Sequence, residues 1–237
     1  MVLVHLLRTL AALAVIPLGV LPGLATWLAT RDRRRALDRT IDAWGRWGTR
    51  AAGIRLEVRG AEHLRAPRPA VYLLNHQSGV DPILLCALLR GGFTAVAKKE
   101  IRRNPVLGPA FALADVAFVD RHDRSQALRA LAPKTEALRS GLSLAVAPEG
   151  TRSPGAALGE FKKGAFHIAM QAGVPIVPIV IHDARAVLPR GGWLMRPATV
   201  HVTVLEPVPT HDWKPENLDE RIADVRERYL DLLGDPS

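Results

Sequence analysis

From Thr9 to Thr30 the chain carries no charged residue. As a helix rising about 1.5 Å per residue, these roughly 22 residues would cover about 33 Å, the thickness of a bilayer core. The segment is therefore read as a membrane segment. Pro17, Gly19, Pro22 and Gly23 lie inside it and leave two arrangements open, a crossing helix or a shallow in-and-out hairpin. A secretory signal competes with both readings. Against it stand the length of the apolar stretch, the lack of a clear small-x-small cleavage site before Arg31, and a positive cluster that follows the segment. Arg31, Arg33, Arg34 and Arg35 outweigh Arg8, which places the downstream domain on the cytoplasmic side.

The remainder suits one sizeable α/β domain, because 237 residues exceed a typical single core by little more than an appendage. The expected division is 1–52, a membrane segment and an amphipathic helix, and 53–237, a catalytic domain. A lone cysteine, Cys86, excludes an internal disulfide framework, and no Cys/His pairs stand at zinc spacing. Its apolar setting reads as a small buried hydrophobe. The net charge of +9 and pI near 10.5 call for an anionic partner. Nucleic acid fits poorly, since only 5% of residues are aromatic and no DNA- or RNA-binding signature occurs. Arginines crowd beside the apolar segment, which favours an anionic lipid surface over a basic surface that merely aids solubility.

Beyond the cluster, Leu37, Ile41, Trp44, Gly48 and Ala51 recur at helical spacing. Such a helix either lies in the headgroup region, with Trp44 and Trp47 near its apolar side, or packs on the protein. Strand-like runs then occur at 56–59, 70–74, 93–97, 115–119, 142–147, 176–181 and 199–205. Helical stretches fall at 83–89, 106–112, 126–139 and 163–172, the first opened by Asp81 as N-cap with Pro82 behind it. Leu218, Ile222, Val225, Tyr229 and Leu232 mark a C-terminal packing helix. The alternation reads as an α/β sheet flanked by helices.

Directly after Val71-Tyr72-Leu73-Leu74 comes Asn75-His76-Gln77-Ser78-Gly79-Val80-Asp81. A carboxylate beside an imidazole fixes its tautomer and favours the protonated ring, as a general base for a hydroxyl requires. Five residues apart on one helix, the two side chains would diverge by about 140°, so His76 and Asp81 must bracket a turn. Asp81 serving only as a cap is the plain alternative. Ser78 lies two residues from the base and no Gly-x-Ser-x-Gly elbow occurs, so the nucleophile is expected to arrive with the substrate. Pro148-Glu149-Gly150-Thr151-Arg152-Ser153 also follows an apolar run. There Gly150 permits a tight turn, Arg152 offers a planar fork to phosphate, and Glu149 holds Arg152 or nearby backbone. A solvated turn is the alternative. Phe118-Val119-Asp120-Arg121 makes Arg121 a second phosphate candidate, and Lys98 and Lys99 add positive charge or are simply solvated. Phe161-Lys162-Lys163-Gly164 lacks the spacing of a nucleotide P-loop. Val174 to Ile179 reads as a buried strand.

Taken in order, 75–81, 118–121, 148–153 and 174–178, with Phe161-Lys162-Lys163-Gly164 in support, resemble the glycerolipid acyltransferase family, in particular bacterial 1-acyl-glycerol-3-phosphate acyltransferases. These blocks span about half of the chain. The resemblance implies an α/β fold with a mixed sheet flanked by helices, docked on the cytoplasmic leaflet of the cell membrane by an N-terminal helical motif. It implies His76 as general base, Asp81 as its partner, and Glu149, Gly150, Thr151, Arg152, Arg121, Lys98 and Lys99 around the acceptor phosphate. It implies lysophosphatidic acid as acceptor, acyl-CoA or acyl carrier protein as donor, and neither metal nor tightly bound cofactor. The chain departs from the family in having Ala147 where phenylalanine is common, and in lacking a glycine near Asp115. These departures leave the acceptor open to lyso-ornithine lipid, glycerol 3-phosphate or another lysophospholipid. A catalytically silent lipid-binding protein and a secreted lipid hydrolase are the competing functional classes.

Overall fold

The computed structural model describes residues 2–65, 68–120, 124–152 and 157–234. In chain order the elements are α1 (Val2–Leu18), α2 (Val20–Thr30), α3 (Arg33–Ala52), β1 (Ile54–Arg59), β2 (Val71–Leu74), α4 (Asp81–Leu89), β3 (Phe93–Lys98), α5 (Leu107–Leu113), β4 (Ala117–Val119), α6 (Arg124–Arg139), β5 (Ser143–Val146), α7 (Gly164–Ala172), β6 (Ile176–Ile181), α8 (Ala184–Val187), β7 (Ala198–Val204) and α9 (Leu218–Leu233). Two compact units emerge. The first holds residues 1–57, 77–92 and 182–201, and the second holds 58–76, 93–181 and 202–237.

In the first unit α1 and α2 continue in one direction. Gly19 stays right-handed at φ −66° and ψ −12°, and its N–H still reaches the Val15 carbonyl at 2.7 Å. Proline at 17 removes one donor without turning the chain back, so the in-and-out hairpin is not what forms. The resulting apolar stretch, Val2–Thr30, is long and apolar enough to cross a membrane by length and composition. Arg31 ends it in a left-handed conformation at φ 56°. Asp32 then caps α3, its carboxylate accepting from the Arg35 N–H at 3.0 Å.

From there α3 packs along α2 and α1. Gly23 lets Thr40 and Ala36 come close, and the Trp44 indole donates to the Ile16 carbonyl at 2.8 Å. On another face, Gly45 lies against α4 so closely that a Cβ would sit 2.5 Å from the Ala87 nitrogen. α3 thus packs on protein along two of its faces. Trp47 remains exposed while Trp44 is tied to α1.

The second unit is built on the sheet, whose strands among the described residues run in the order β1-β7-β6-β2-β5-β3-β4. β2 is parallel to β5 and β6, β3 is parallel to β5 and β4, and β7 is antiparallel to β6, which makes the sheet mixed. All four residues of β2 and all six of β6 are buried, as expected of central strands covered on both faces. Phe166, Trp213, Phe161 and Tyr229 join the aliphatic core, with the Phe161 and Tyr229 rings meeting edge to face at 5.3 Å. α9 contributes Leu218, Ile222, Val225 and Tyr229, four of the five periodic positions, whereas Leu232, near the end of the helix, is exposed.

The strand expected at 115–119 begins only at Ala117. Asp115 instead adopts φ 53°, a left-handed conformation that aspartate tolerates better than most residues. The buried Lys134 of α6 holds it there, donating to the Asp115 carbonyl at 2.8 Å and to the Thr94 hydroxyl at 3.3 Å. A glycine at this position would adopt that conformation more readily.

Candidate active site

The carboxyl end of β2 is fixed by polar side chains rather than by further strand pairing. Past Leu74 the side-chain amide of Asn75 behaves as an extra peptide unit, donating to the Ile181 carbonyl at 2.8 Å and accepting from the Ile181 N–H at 2.7 Å. Two residues earlier, the Tyr229 hydroxyl donates to the Leu73 carbonyl at 2.7 Å and accepts from the Ile179 N–H at 3.2 Å. In the register that pairs Leu73 with Pro178, those are the two groups that face each other. Burial raises the Tyr229 pKa well above that of an ordinary phenol; the Ile179 bond opposes this and the Glu149 charge adds to it.

Glu149 completes the clasp. Buried to 5% exposure, it accepts from the His76 N–H and from the Gly159 N–H, both at 2.8 Å. One carboxylate thus ties the residue carrying the imidazole to the segment before α7, and the Lys162 N–H reinforces this by donating to the Pro148 carbonyl at 2.8 Å. Of the two tasks the sequence leaves for Glu149, holding neighbouring backbone is realised. His76 itself is half-buried.

In the first unit, the turn after His76 closes on Asp81. This carboxylate, 2% exposed, accepts from the Gln77 N–H at 2.9 Å and the Ser78 N–H at 3.0 Å. It is therefore not the N-cap of α4. That place falls to Val80, which makes no side-chain cap, and Asp81, the first residue of the helix with Pro82 behind it, turns its carboxylate back to the 77–78 backbone. The buried Ser78 hydroxyl donates to the Leu188 carbonyl at 2.7 Å. Burial pushes the Cys86 thiol up to about 12, which leaves it protonated and unreactive at neutral pH.

The remaining candidates are dispersed along loop ends. Gly150 has φ 73°, which permits the turn after β5, and it presents Thr151 and Arg152 exposed. Lys98 ends β3 and pairs with Glu100 at 3.5 Å. The exposed Lys99 pairs with Asp120, and the hydrogen bond to that carboxylate raises its pKa. Arg121 lies outside the described residues. Sequence reading assigned no role to Asn75 and treated Tyr229 as packing. The position of Asn75 just past a buried strand was a usable signal. Tyr229 fell on the apolar period of α9, and nothing local marks a hydroxyl whose partners lie 156 and 50 residues away.

Residues 55–182 match the family described as Acyltransferase. The chain belongs to that family. It is 33% identical over 179 residues to a 1-acyl-sn-glycerol-3-phosphate acyltransferase of Limnanthes alba, covering 75% of this chain and 63% of the relative. It is 36% identical over 186 residues to a 1-acyl-sn-glycerol-3-phosphate acyltransferase alpha of Ovis aries, covering 78% and 65%. The chain thus spans less than two thirds of the length of these curated relatives. Among solved structures it resembles the 1-acyl-sn-glycerophosphate (LPA) acyltransferase PlsC of Thermotoga maritima, with a TM-score of 0.78, 28% identity and 98% of each chain covered.

Proposed function

We propose that this chain is a membrane-surface acyltransferase that moves a fatty acyl group from acyl-CoA or acyl carrier protein to the free hydroxyl of lysophosphatidic acid, giving phosphatidic acid. One observation carries the reading: within the family-matched region, the backbone of His76 is clasped by buried Glu149, and the turn behind it by buried Asp81. Side chains fixed in this way hold a base without reorganisation during the reaction. The His76 imidazole takes the proton of the acceptor hydroxyl. The oxygen then attacks the thioester carbonyl, the C–S bond breaks as the ester forms, and the imidazolium returns the proton to the leaving thiolate. Asp81 stabilises the charged ring, and Ser78 and Cys86 take no part as nucleophiles. Arg152, with Arg121, receives the acceptor phosphate, and Gly150 and Thr151 shape the turn. Lys98 and Lys99 add positive charge by exchanging Glu100 and Asp120 for the phosphate.

Membrane docking follows from the helices of the first unit. α3 exposes Arg33, Arg35, Arg39, Arg46 and Arg50 and packs along α1 and α2. A crossing would draw these arginines into hydrocarbon at about 2.5–3.5 kcal/mol each near the bilayer centre. The helices therefore lie in the interface of the cytoplasmic leaflet, with exposed Leu3, Leu7, Leu10, Leu21, Leu24 and Leu28 immersed.

The test is an assay of purified protein with both donors against lysophosphatidic acid, lyso-ornithine lipid, glycerol 3-phosphate and other lysophospholipids. His76→Ala is expected to abolish turnover, and Arg152→Ala to weaken chiefly the phosphate-bearing acceptors. Full activity in His76→Ala, or a burst of thiol ahead of lipid product, would sink the direct-transfer scheme.

A further inference from the structure

Trp193 is 67% exposed, as exposed as Leu3 on the open face of α1. It stands in a loop, residues 189–197, that the acyl-transfer scheme does not use. The loop is pinned to α1, since the Met195 N–H donates to the Thr9 hydroxyl at 2.8 Å in a buried bond. Leu194 and Arg196 share a recess of about 490 Å³ with Val2 and His5 of α1. Trp193 therefore adjoins the end of the helix that exposes Val2, Leu3, Val4 and Leu7. The loop's charges are of one sign: Arg190 and Arg196 are both exposed, and no carboxylate occurs between Asp183 and Glu206.

We propose that this loop is a second membrane contact, in which Trp193 seats at headgroup level beside the first turns of α1 while Arg196 and Arg190 meet lipid phosphates. The inference rests on the membrane docking proposed above. An indole is suited to this depth because its ring is apolar and its N–H stays wet, and arginine forks match phosphate while their stems lie along apolar surface. An acidic protein partner would also meet the two arginines. Continuity between Trp193 and the exposed apolar face of α1 favours lipid, because that partner would leave the apolar face uncovered. With Trp27 in the last turn of α2, its ring 5.0 Å from the Arg31 guanidinium, the apolar helix carries an aromatic and an arginine near each end.

The experiment is flotation of the full chain with phosphatidylglycerol-containing and pure phosphatidylcholine vesicles. It compares wild type with Trp193→Ala, Arg196→Glu and Leu232→Ala, the last an exposed hydrophobe on α9. Trp193→Ala is expected to weaken partition about fivefold on both vesicles, and Arg196→Glu about fivefold on the anionic vesicles only, the worth of roughly 1 kcal/mol per contact. Leu232→Ala should bind as wild type. Brominated lipid should quench the fluorescence that wild type has and Trp193→Ala lacks. Wild type that stays in solution overturns membrane docking as a whole. Wild type that floats with both loop variants unchanged and no quenching overturns only the loop's part. Unchanged partition with a raised KM for acyl carrier protein likewise overturns it and assigns the loop to the donor.

Discussion

In the first unit α3 meets its neighbours where side chains are missing: Gly23 admits Thr40, and Gly45 admits the backbone of α4. In the second unit the strand that leads to His76 is held where polar side chains are present and buried, by Asn75, Glu149 and Tyr229. The two solutions differ because the two units bury different things. Helices gain cohesion by close approach, and a small residue at the contact achieves it. A sheet whose central strand must stop and release a reactive side chain leaves N–H and C=O groups without strand partners, and buried groups of that kind need acceptors and donors from elsewhere. Damage to the glycine contacts of α3 should therefore appear as lost stability, and damage to the clasp around β2 as lost turnover as well.

Glu149→Ala tests this contrast most severely. It removes the acceptor of two N–H groups at once, and at roughly 1–3 kcal/mol per group the expected loss is about 3 kcal/mol of stability together with most of kcat. Urea melts and assays on the same preparation check it, and a variant that is destabilised but turns over normally would break the contrast. Gly45→Val comes next, since its Cβ would meet backbone that cannot swing aside. A cost near 2–3 kcal/mol is expected, with kcat preserved at temperatures where the variant stays folded.

Tyr229→Phe keeps the ring against Phe161 and deletes only the hydroxyl, for about 1–1.5 kcal/mol and a fall in kcat without change in KM. The sign of its pH effect is fixed by the raised phenol. Folded Tyr229 holds its proton above pH 10.0, where unfolded tyrosine begins to lose it, so its contribution is complete below that pH and declines as alkali rises beyond it. Melting curves from pH 9 to 11 should show a shallower alkaline limb in Tyr229→Phe. The smallest effect concerns Asp115. Asp115→Gly relieves the left-handed backbone but removes the carboxylate 3.4 Å from the buried Lys134 ammonium, for a net loss of about 0.5–1 kcal/mol. Asp115→Val, which also forces a β-branched residue to positive φ, should lose about 1–2 kcal/mol more.

Much of the fold was legible in local pattern. The apolar runs at 70–74, 142–147 and 176–181 became β2, β5 and β6, and the period of 218–232 became α9, because a two-residue or 3.6-residue repeat is written wherever one face is buried. Asp81 was legible as a residue type but not as a contact. Both a cap and a turn-closing acceptor suit an aspartate before Pro82, and only the path of 77–80 selects between them.

By itself the sequence determined a charge-free segment, an alternation of strands and helices, and a histidine and a carboxylate bracketing a turn after a buried strand. These are short-range consequences of hydrophobicity, charge and spacing, which act within a few residues. Tertiary structure alone decided that the segment runs on through Gly19, that α3 lies along it, that Glu149 grips the His76 backbone from 73 residues away, and that Tyr229 bridges β2 and β6. The last three are pairings of groups distant in the chain, and such pairings are settled by how the core closes rather than by what stands beside them.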